Sequence, residues 1–449
     1  MNTNITTGTL ARGYRLGKLG FSLVGSYLGY QAQNLLLGNG ARHARRDRLH
    51  KAVSRRVRDE LGTLKGPVMK LGQMLSMQTD FVPHEVLQEL AGLQMQAPPM
   101  HATLARAQFK SAMGKYPEEA FREFDPEPFA AASLGQVHRA VTFDGEKVAV
   151  KIQYPAIRSA IENDLKLLRS AMLPTRVTGH VSPALLDEIG RGLLEETDYL
   201  HEARNIDYFR AGFAGLAFAT VPRVYPEWST DRVLTMSFVE GESLSDWLRR
   251  KPSHAARDLI GARLTEAFET QLQRLRVLHA DQHPGNFLFQ PDGRFGLVDF
   301  GCVKRVNFDI VELRRFYETR GWLESEAAER RFLSILFPKD APIVRARKIL
   351  PLLEECMDFL WPRGAGSDFV IDFRTARKNL EFNRMRLKLT RQIMQDKLIN
   401  PDFVYLFRAE TGFWHLIGEL GATVNISEIS RRVSAGLRRG HHTDNAGNG

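Results

Sequence analysis

The tightest constraint on this chain is a pair of short turns held at fixed spacing. His279-Ala280-Asp281-Gln282-His283-Pro284-Gly285-Asn286 puts an asparagine five residues after an aspartate. Thirteen residues later, Asp299 opens Asp299-Phe300-Gly301 at the end of an apolar run of Phe295, Leu297 and Val298. An asparagine amide oxygen and an aspartate carboxylate are hard oxygen donors, the kind that Mg²⁺ takes. Either turn alone is common as a loop with chance polar residues. The two in register, with Val148-Ala149-Val150-Lys151 upstream, demand a fold that brings three separate segments to one place.

The spacing is that of the phosphoryl-transfer pattern H-R-D-x-x-x-x-N followed by D-F-G. On that pattern Asp281 faces the attacking hydroxyl or water, and Asn286 and Asp299 hold Mg²⁺. Lys151, at the end of a strand-like run, holds the α- and β-phosphates of ATP. His283 stands two residues after Asp281, where protein kinases keep a lysine, and no A-P-E follows the D-F-G. The usual peptide-docking segment is therefore not evident.

Composition sets wide limits. The chain has 449 residues, 43% apolar and 25% charged, enough for two or three folded units. Its two cysteines, Cys302 and Cys356, make no disulfide framework, which suits a reducing compartment. The net charge of +10 permits an anionic partner. No zinc-finger or aromatic RNA-binding pattern is present, so no nucleic acid is expected.

Residues 1–50 are apolar and then basic. No charge occurs from Leu19 to Ala41, but Gln31, Gln33, Asn34 and Asn39 interrupt the run. It falls short of the roughly 20 predominantly apolar residues of a spanning helix. Arg42, Arg45, Arg46, Arg48 and Lys51 follow at once. An apolar helix beside a basic cluster suits peripheral attachment to an anionic lipid membrane; a helix packed on the body of the protein suits the same residues. Residues 51–125 read as a helical extension, with Lys70 and Gln73 three apart on one helix face.

Residues 126–245 read as a small, nucleotide-binding lobe. Ala130-Ala131-Ala132-Ser133-Leu134-Gly135-Gln136-Val137 fits the phosphate-loop pattern G-x-G-x-x-G-x-V with alanine at the first two glycines. Methyl groups there restrict backbone approach to phosphates. Read alone, the segment is an alanine-rich helix start. Val181 to Phe209 is expected to be one helix, carrying Glu196, Asp198 and Glu202. Glu196 and Glu202, six apart, would lie on different sides of it. Val233 to Val239 reads as a strand leading to a hinge, with backbone groups of Ser237 and Val239 placed to pair with adenine. Residues 246–430 read as a mainly helical large lobe, and residues 431–449 as a basic, disordered tail.

Taken together, these motifs resemble the UbiB/AarF-domain-containing (ADCK) family of atypical kinases over roughly residues 50–425. Lys70-Leu71-Gly72-Gln73 is similar to the family's K-x-G-Q helix, Ala130–Ser133 to its alanine-rich loop, and Glu196-Thr197-Asp198 to its E-x-D. His279–Asn286 with Asp299 resembles its catalytic and metal loops. The resemblance implies an α+β, bilobal protein-kinase-like fold with a helical N-terminal extension over the active site. It also implies that Lys70 engages Glu196 and Asp198, and that Glu202 partners Lys151. The family is associated with isoprenoid quinone (ubiquinone) biosynthesis, membranes and ATP hydrolysis. Gln282 departs from the proline often found there, and no long apolar C-terminal spans occur. The expected function is an atypical kinase or ATPase using Mg-ATP, with quinone-pathway enzymes as partners. The expected place is the cytoplasm, peripheral on the inner face of a membrane. Alternatives are a small-molecule kinase and a slow or non-catalytic nucleotide-sensing scaffold.

Overall fold

The computed structural model describes residues 100–132, 134–172, 183–337, 343–360, 370–372, 385, 388, 389, 392 and 401–444. Lys70, Gln73, Ser133 and the whole 1–50 segment lie outside them. The chain divides into two compact units. One comprises the residues up to Leu200 together with Pro226–Thr235; the other comprises His201–Tyr225 and Met236 onward. The mixture of helices and sheets is α+β.

The first unit is organised on a hairpin of β3 (Gly135–Val141) and β4 (Lys147–Gln153), paired antiparallel from Gly135 opposite Gln153 to Val141 opposite Lys147. β1 (Glu123–Phe124) and β2 (Ala130–Ala132) pair with β3, and the order β1-β3-β4-β6 is completed by β6 (Val233–Ser237). β4 lies inside the sheet with both faces covered: Val148, Val150 and Ile152 are fully buried on one face, and Ala149 and Lys151 are buried on the other, so its apolar residues do not alternate with exposed ones. Helix α1 (Ala102–Met113) packs on β4 and ends at Gly114, whose φ of +76° suits a residue without a Cβ. Its Phe109 meets Phe121 and Phe124, and Phe121 meets Trp228. Between them lies one helical turn, α2 (Pro117–Ala120). Residues 102–124 thus belong to the sheet unit, whereas the sequence assigned them to the extension ending at residue 125. The aromatic cluster supplies the reason.

Two helices follow, α3 (Ile157–Met172) and α4 (Pro183–Glu195), and then α5 (Tyr199–Gly212). The single helix expected over 181–209 is broken at Glu196-Thr197-Asp198. Side chains make the break. Thr197 Oγ1 donates to Leu194 O at 2.6 Å, and Asp198 Oδ1 accepts from Leu200 N at 3.0 Å.

The second unit is mainly helical. It holds most of α5, then α6 (Leu244–Arg249), α7 (His254–Thr270), α8 (Ile310–Thr319), α9 (Glu326–Leu336), α10 (Ile343–Arg347), α11 (Leu350–Leu360), α12 (Pro401–Leu420) and α13 (Ile426–Asp444). Short strands are set among them. β8 (Phe287–Phe289) pairs with β9 (Phe295–Leu297), β9 with β5 (Ala219–Thr220), and β7 (Val277–His279) with β10 (Val303–Arg305). The expected disordered tail is corrected for residues 431–444, which continue α13. That helix buries Ile426, Ile429, Ser430 and Val433 on one stripe. Gln273 Nε2 donates to Ser430 Oγ at 2.9 Å, and Arg432 pairs with Glu266 at 2.7 Å.

Candidate active site

The catalytic loop is set up by the end of α7. Ser253 caps the helix by accepting from Ala256 N. The helix then widens into a π turn, Gln271–Leu275, closed by Arg276 at φ +51°. Such wide turns occur often at functional sites because they re-aim one side chain. Here Gln271 Oε1 accepts the amide of His279 at 2.8 Å. β7 then runs antiparallel to β10 with His279 opposite Val303, and Ala280 N donates to Cys302 O at 2.8 Å. The strand entering the catalytic loop is therefore hydrogen-bonded to the strand leaving the D-F-G turn.

His279 is the buried pin between the two turns. Its Nδ1 accepts from Asp281 N at 3.4 Å, which leaves the Nε2–H to donate to Asp299 O. The ring sits edge-on to Phe209 and Phe300, 6.2 and 5.6 Å between centroids. Gln282 Nε2 donates to His279 O at 2.9 Å. Asn286 Nδ2 donates to Asp281 O at 2.8 Å, and Val298 N donates to Asn286 O at 3.1 Å. Because the amide nitrogen of Asn286 is committed to a carbonyl, its Oδ1 is the atom offered to a cation. Asp299 accepts Gly301 N through Oδ1 at 3.0 Å.

Helix α5 grips the same turn. Glu202 Oε1 accepts from Phe300 N at 3.3 Å, and three residues along the helix Asn205 Nδ2 donates to Phe300 O at 3.0 Å. Both main-chain polar groups of Phe300 are thus met by two side chains of one helix face. Asp281 forms an ion pair with Arg408 of α12, Oδ1 to Nη2, at 3.4 Å.

The donor set fits Mg²⁺. One amide oxygen and one carboxylate suit an ion that keeps much of its shell as water and phosphate oxygen. Among the described residues no group of three or more His, Cys, Asp or Glu is placed to hold a metal, so an all-protein cage is not built there.

The first unit carries Lys151, Ala130–Ala132, Glu196 and Asp198. Lys151 is buried in β4 opposite Val137, its Nζ 5.1 Å from the centre of the Tyr199 ring. Ala130, Ala131 and Ala132 are strand, with Ala131 opposite Gln136 and Ala132 opposite Gly135. The helix-start reading of that segment does not hold. Gly135 is required by packing: a Cβ there would lie 2.3 Å from Ile152 O and 2.8 Å from Tyr199 Oη. The Glu196–Asp198 turn is moored to β4, because Gln153 Nε2 donates to Thr197 O at 2.9 Å. Arg158 also reaches Thr197 Oγ1 at 3.3 Å. Glu196 is buried and Asp198 half-buried.

Ser237 is held to Arg223: its amide donates to Arg223 O at 2.8 Å and its Oγ accepts Arg223 N at 2.9 Å, so of its two backbone groups the amide is already engaged. The Val239 side chain is buried and fills the space above Gly296, where a Cβ would lie 2.3 Å from Val239 Cγ1. Sequence reasoning gave no role to Gln271, Asn205 or Arg408. Asn205 had a visible signal, its place three residues after Glu202; the other two had none in spacing alone.

Residues 92–317 match the ABC1 atypical kinase-like domain family. An uncharacterized protein of Synechocystis sp. is 40% identical over 255 residues, 55% of this chain and 45% of that protein. An uncharacterized chloroplastic aarF domain-containing protein kinase of Arabidopsis thaliana is 34% identical over 304 residues, covering 63% of this chain and 43% of the relative. The chloroplastic protein ACTIVITY OF BC1 COMPLEX KINASE 7 of the same plant is 34% identical over 246 residues, 54% of this chain and 35% of that one. The chain thus spans less than half the length of these curated relatives. Among solved structures, the complex of Rv3197 with erythromycin from Mycobacterium tuberculosis superposes with a TM-score of 0.60 at 28% identity. It covers 87% of this chain and 97% of that one.

Proposed function

The chain belongs to the ABC1 atypical kinase-like family, and from that premise we propose that it binds Mg-ATP and acts as an atypical kinase or ATPase in isoprenoid quinone or related lipid metabolism. The observation that carries this reading is the Asn286 Nδ2 bond to Asp281 O, beside a D-F-G strand paired to the strand that enters the catalytic loop. It ties the nucleophile-facing residue and one metal donor into one rigid turn. Mg²⁺, when bound, would supply positive charge to the triphosphate. Asn286 Oδ1 and the Asp299 carboxylate hold it; Asp281 orients the attacking hydroxyl or water; Lys151 holds the α- and β-phosphates. Glu202, Asn205 and His279 keep the D-F-G backbone in place. In this chemistry the protein contributes positioning and charge more than covalent steps.

The quinone and lipid assignment is supported by the motif resemblance, by relatives named for BC1 complex activity, and by the apolar-then-basic residues 1–50. We place the protein peripherally at a membrane. Among the described residues no helix is long and apolar enough to cross one. A small-molecule acceptor is the second reading. His283-Pro284, the missing A-P-E and a similar structure in complex with erythromycin favour it.

Asp299→Asn tests the reading in one assay of ADP release by full-length protein. The variant is expected to lose Mg-dependent turnover, by about 100-fold or more, while its melting temperature holds. Undiminished turnover in the variant overturns the metal assignment. Adding anionic liposomes and quinone-precursor mimics to the wild type is expected to raise the rate. A rate indifferent to both removes the lipid part and leaves the ATPase part standing.

A further inference from the structure

We propose that Arg408, far outside the matched residues 92–317, is a positioning residue for the catalytic loop: its guanidinium fixes the orientation of the Asp281 carboxylate. This rests on the reading of Asp281 as the residue facing the nucleophile. Helix α12 carries an apolar set, Phe413, Leu416 and Ile417, all buried. A buried guanidinium in such company is costly unless an anion meets it. Arg408 has a side-chain exposure of 5%, and Asp281 meets it as an anion 3.4 Å away. A second arm of the fork, Nη1, lies 3.8 Å from Cys302 Sγ, directly after the D-F-G. The guanidinium is planar and rigid. Held at Cys302, it offers Asp281 Oδ1 one fixed direction, and turning the carboxylate breaks the pair.

The helix is shaped for this approach. Gly412 is one turn along from Arg408, on the same face. A Cβ at Gly412 would lie 3.1 Å from Gln282 Cβ and 3.3 Å from Gln282 O, so α12 presses against the backbone of the catalytic loop itself. One turn before Arg408, Tyr405 receives Lys304 Nζ 5.1 Å from its ring centre, on the strand leaving the D-F-G. Tyr405, Arg408 and Gly412 form one stripe, and every contact named on it falls on the catalytic loop or the segment after the D-F-G. An arginine serving packing alone has no need of the one carboxylate that faces the nucleophile.

The test uses full-length Arg408→Met, Arg408→Lys, Gly412→Ala and Arg320→Met. The last removes another buried arginine of the same unit, paired at 2.9 Å with Asp358 rather than with a residue of the catalytic loop. Arg408→Met is expected to lower kcat by about 100-fold, the cost of an angstrom-scale misplacement, with KM for ATP within about threefold. Arg408→Lys keeps the charge and is expected to recover about tenfold of that loss. Gly412→Ala should lower kcat by a smaller factor at unchanged KM. Arg320→Met should lower the melting temperature without the kcat effect. Amide exchange in nucleotide-free protein supplies a readout independent of turnover: residues 280–286 should exchange faster in Arg408→Met than in Arg320→Met. If Arg408→Met fails to fold, the lysine and Gly412 variants decide by the same criteria. An unchanged kcat overturns the proposal. So does a loss equal to that of Arg320→Met, or loop exchange no faster than in that control. A wild type without Mg-ATP turnover defeats the nucleotide reading instead, and the exchange comparison still decides whether Arg408 holds the loop.

Discussion

The β2–β3 hairpin and the catalytic loop are both motif segments, but they are held in opposite ways. Backbone holds the hairpin: Ala130–Ala132 pairs residue for residue with Val137, Gln136 and Gly135. Side chains hold the loop, since Gln271, His279, Gln282 and Asn286 each spend a polar group on a main-chain atom. The difference teaches where substitutions will matter. In the hairpin, side chains can change as long as the strands still meet. In the loop, almost any side-chain change frees a backbone group.

The sharpest challenge to that contrast is Gly135, the one hairpin position that a side chain cannot occupy. Gly135→Ala must push β3 from β4, because the new methyl would sit 2.3 Å from Ile152 O. The expected cost is about 3 kcal/mol or more, at the upper end for overpacking. Denaturant unfolding checks it. A loss under about 1 kcal/mol would mean that the hairpin yields far more readily than its register suggests.

Next in size is Asn205→Ala. The variant leaves Phe300 O without the Asn205 bond, at an expected cost of about 1–2 kcal/mol. It should also lower turnover, because the D-F-G backbone loses one of the two side chains with which α5 holds it. Turnover equal to wild type, measured per folded molecule, would show that Glu202 alone suffices.

A pH effect separates the two regions further. His138 is fully buried in β3, and burial holds its pKa below the ordinary histidine value; the bond to Asp125 O partly opposes this. The tautomer follows from its partners. Gln136 Nε2 lies 2.9 Å from His138 Nε2, so Nδ1 carries the hydrogen given to Asp125 O. The folded unit therefore binds this proton less readily than the unfolded chain. Its stability is fully present above the unfolded value, near 6.5, and is lost as pH falls from there towards the depressed folded value. Urea midpoints at pH 7.5 and 5.0 should differ in wild type and differ less in His138→Asn. Equal slopes in the two proteins would remove His138 as the cause.

The two turns stood out in the sequence because the phosphoryl-transfer pattern sets particular oxygen donors at particular offsets. Asp281 and Asn286 share one turn, tied by the Asn286 Nδ2 bond to Asp281 O, so their interval is a matter of local chain geometry. Lys151 was legible as the end of an apolar run that proved to be an interior strand. What escaped reading depends on contacts that spacing does not encode. The break at Thr197 comes from a hydroxyl turning back on Leu194 O, within a sequence whose apolar period runs straight through. Arg408 lies more than 100 residues from Asp281, and as a sequence symbol it is one arginine in an apolar helix. The end of α13 was misread because its polar composition suggested a tail, while its few apolar positions fall on one stripe.

The smallest expected effect lies at Ala131, and it probes the hairpin from the permissive side. Its side chain is exposed and its backbone pairs with Gln136. Ala131→Gly removes no buried contact, so the cost is the extra chain entropy of glycine in a strand, about 0.5–1 kcal/mol. The strand pairing should persist, because the hydrogen bonds belong to the backbone. Amide exchange at Gln136 and Val137 should quicken only by the factor that this cost implies, roughly two- to fivefold. Collapse of protection across β3 would mean that the alanine methyls themselves hold the strand, and the hairpin would then share the side-chain dependence of the catalytic loop.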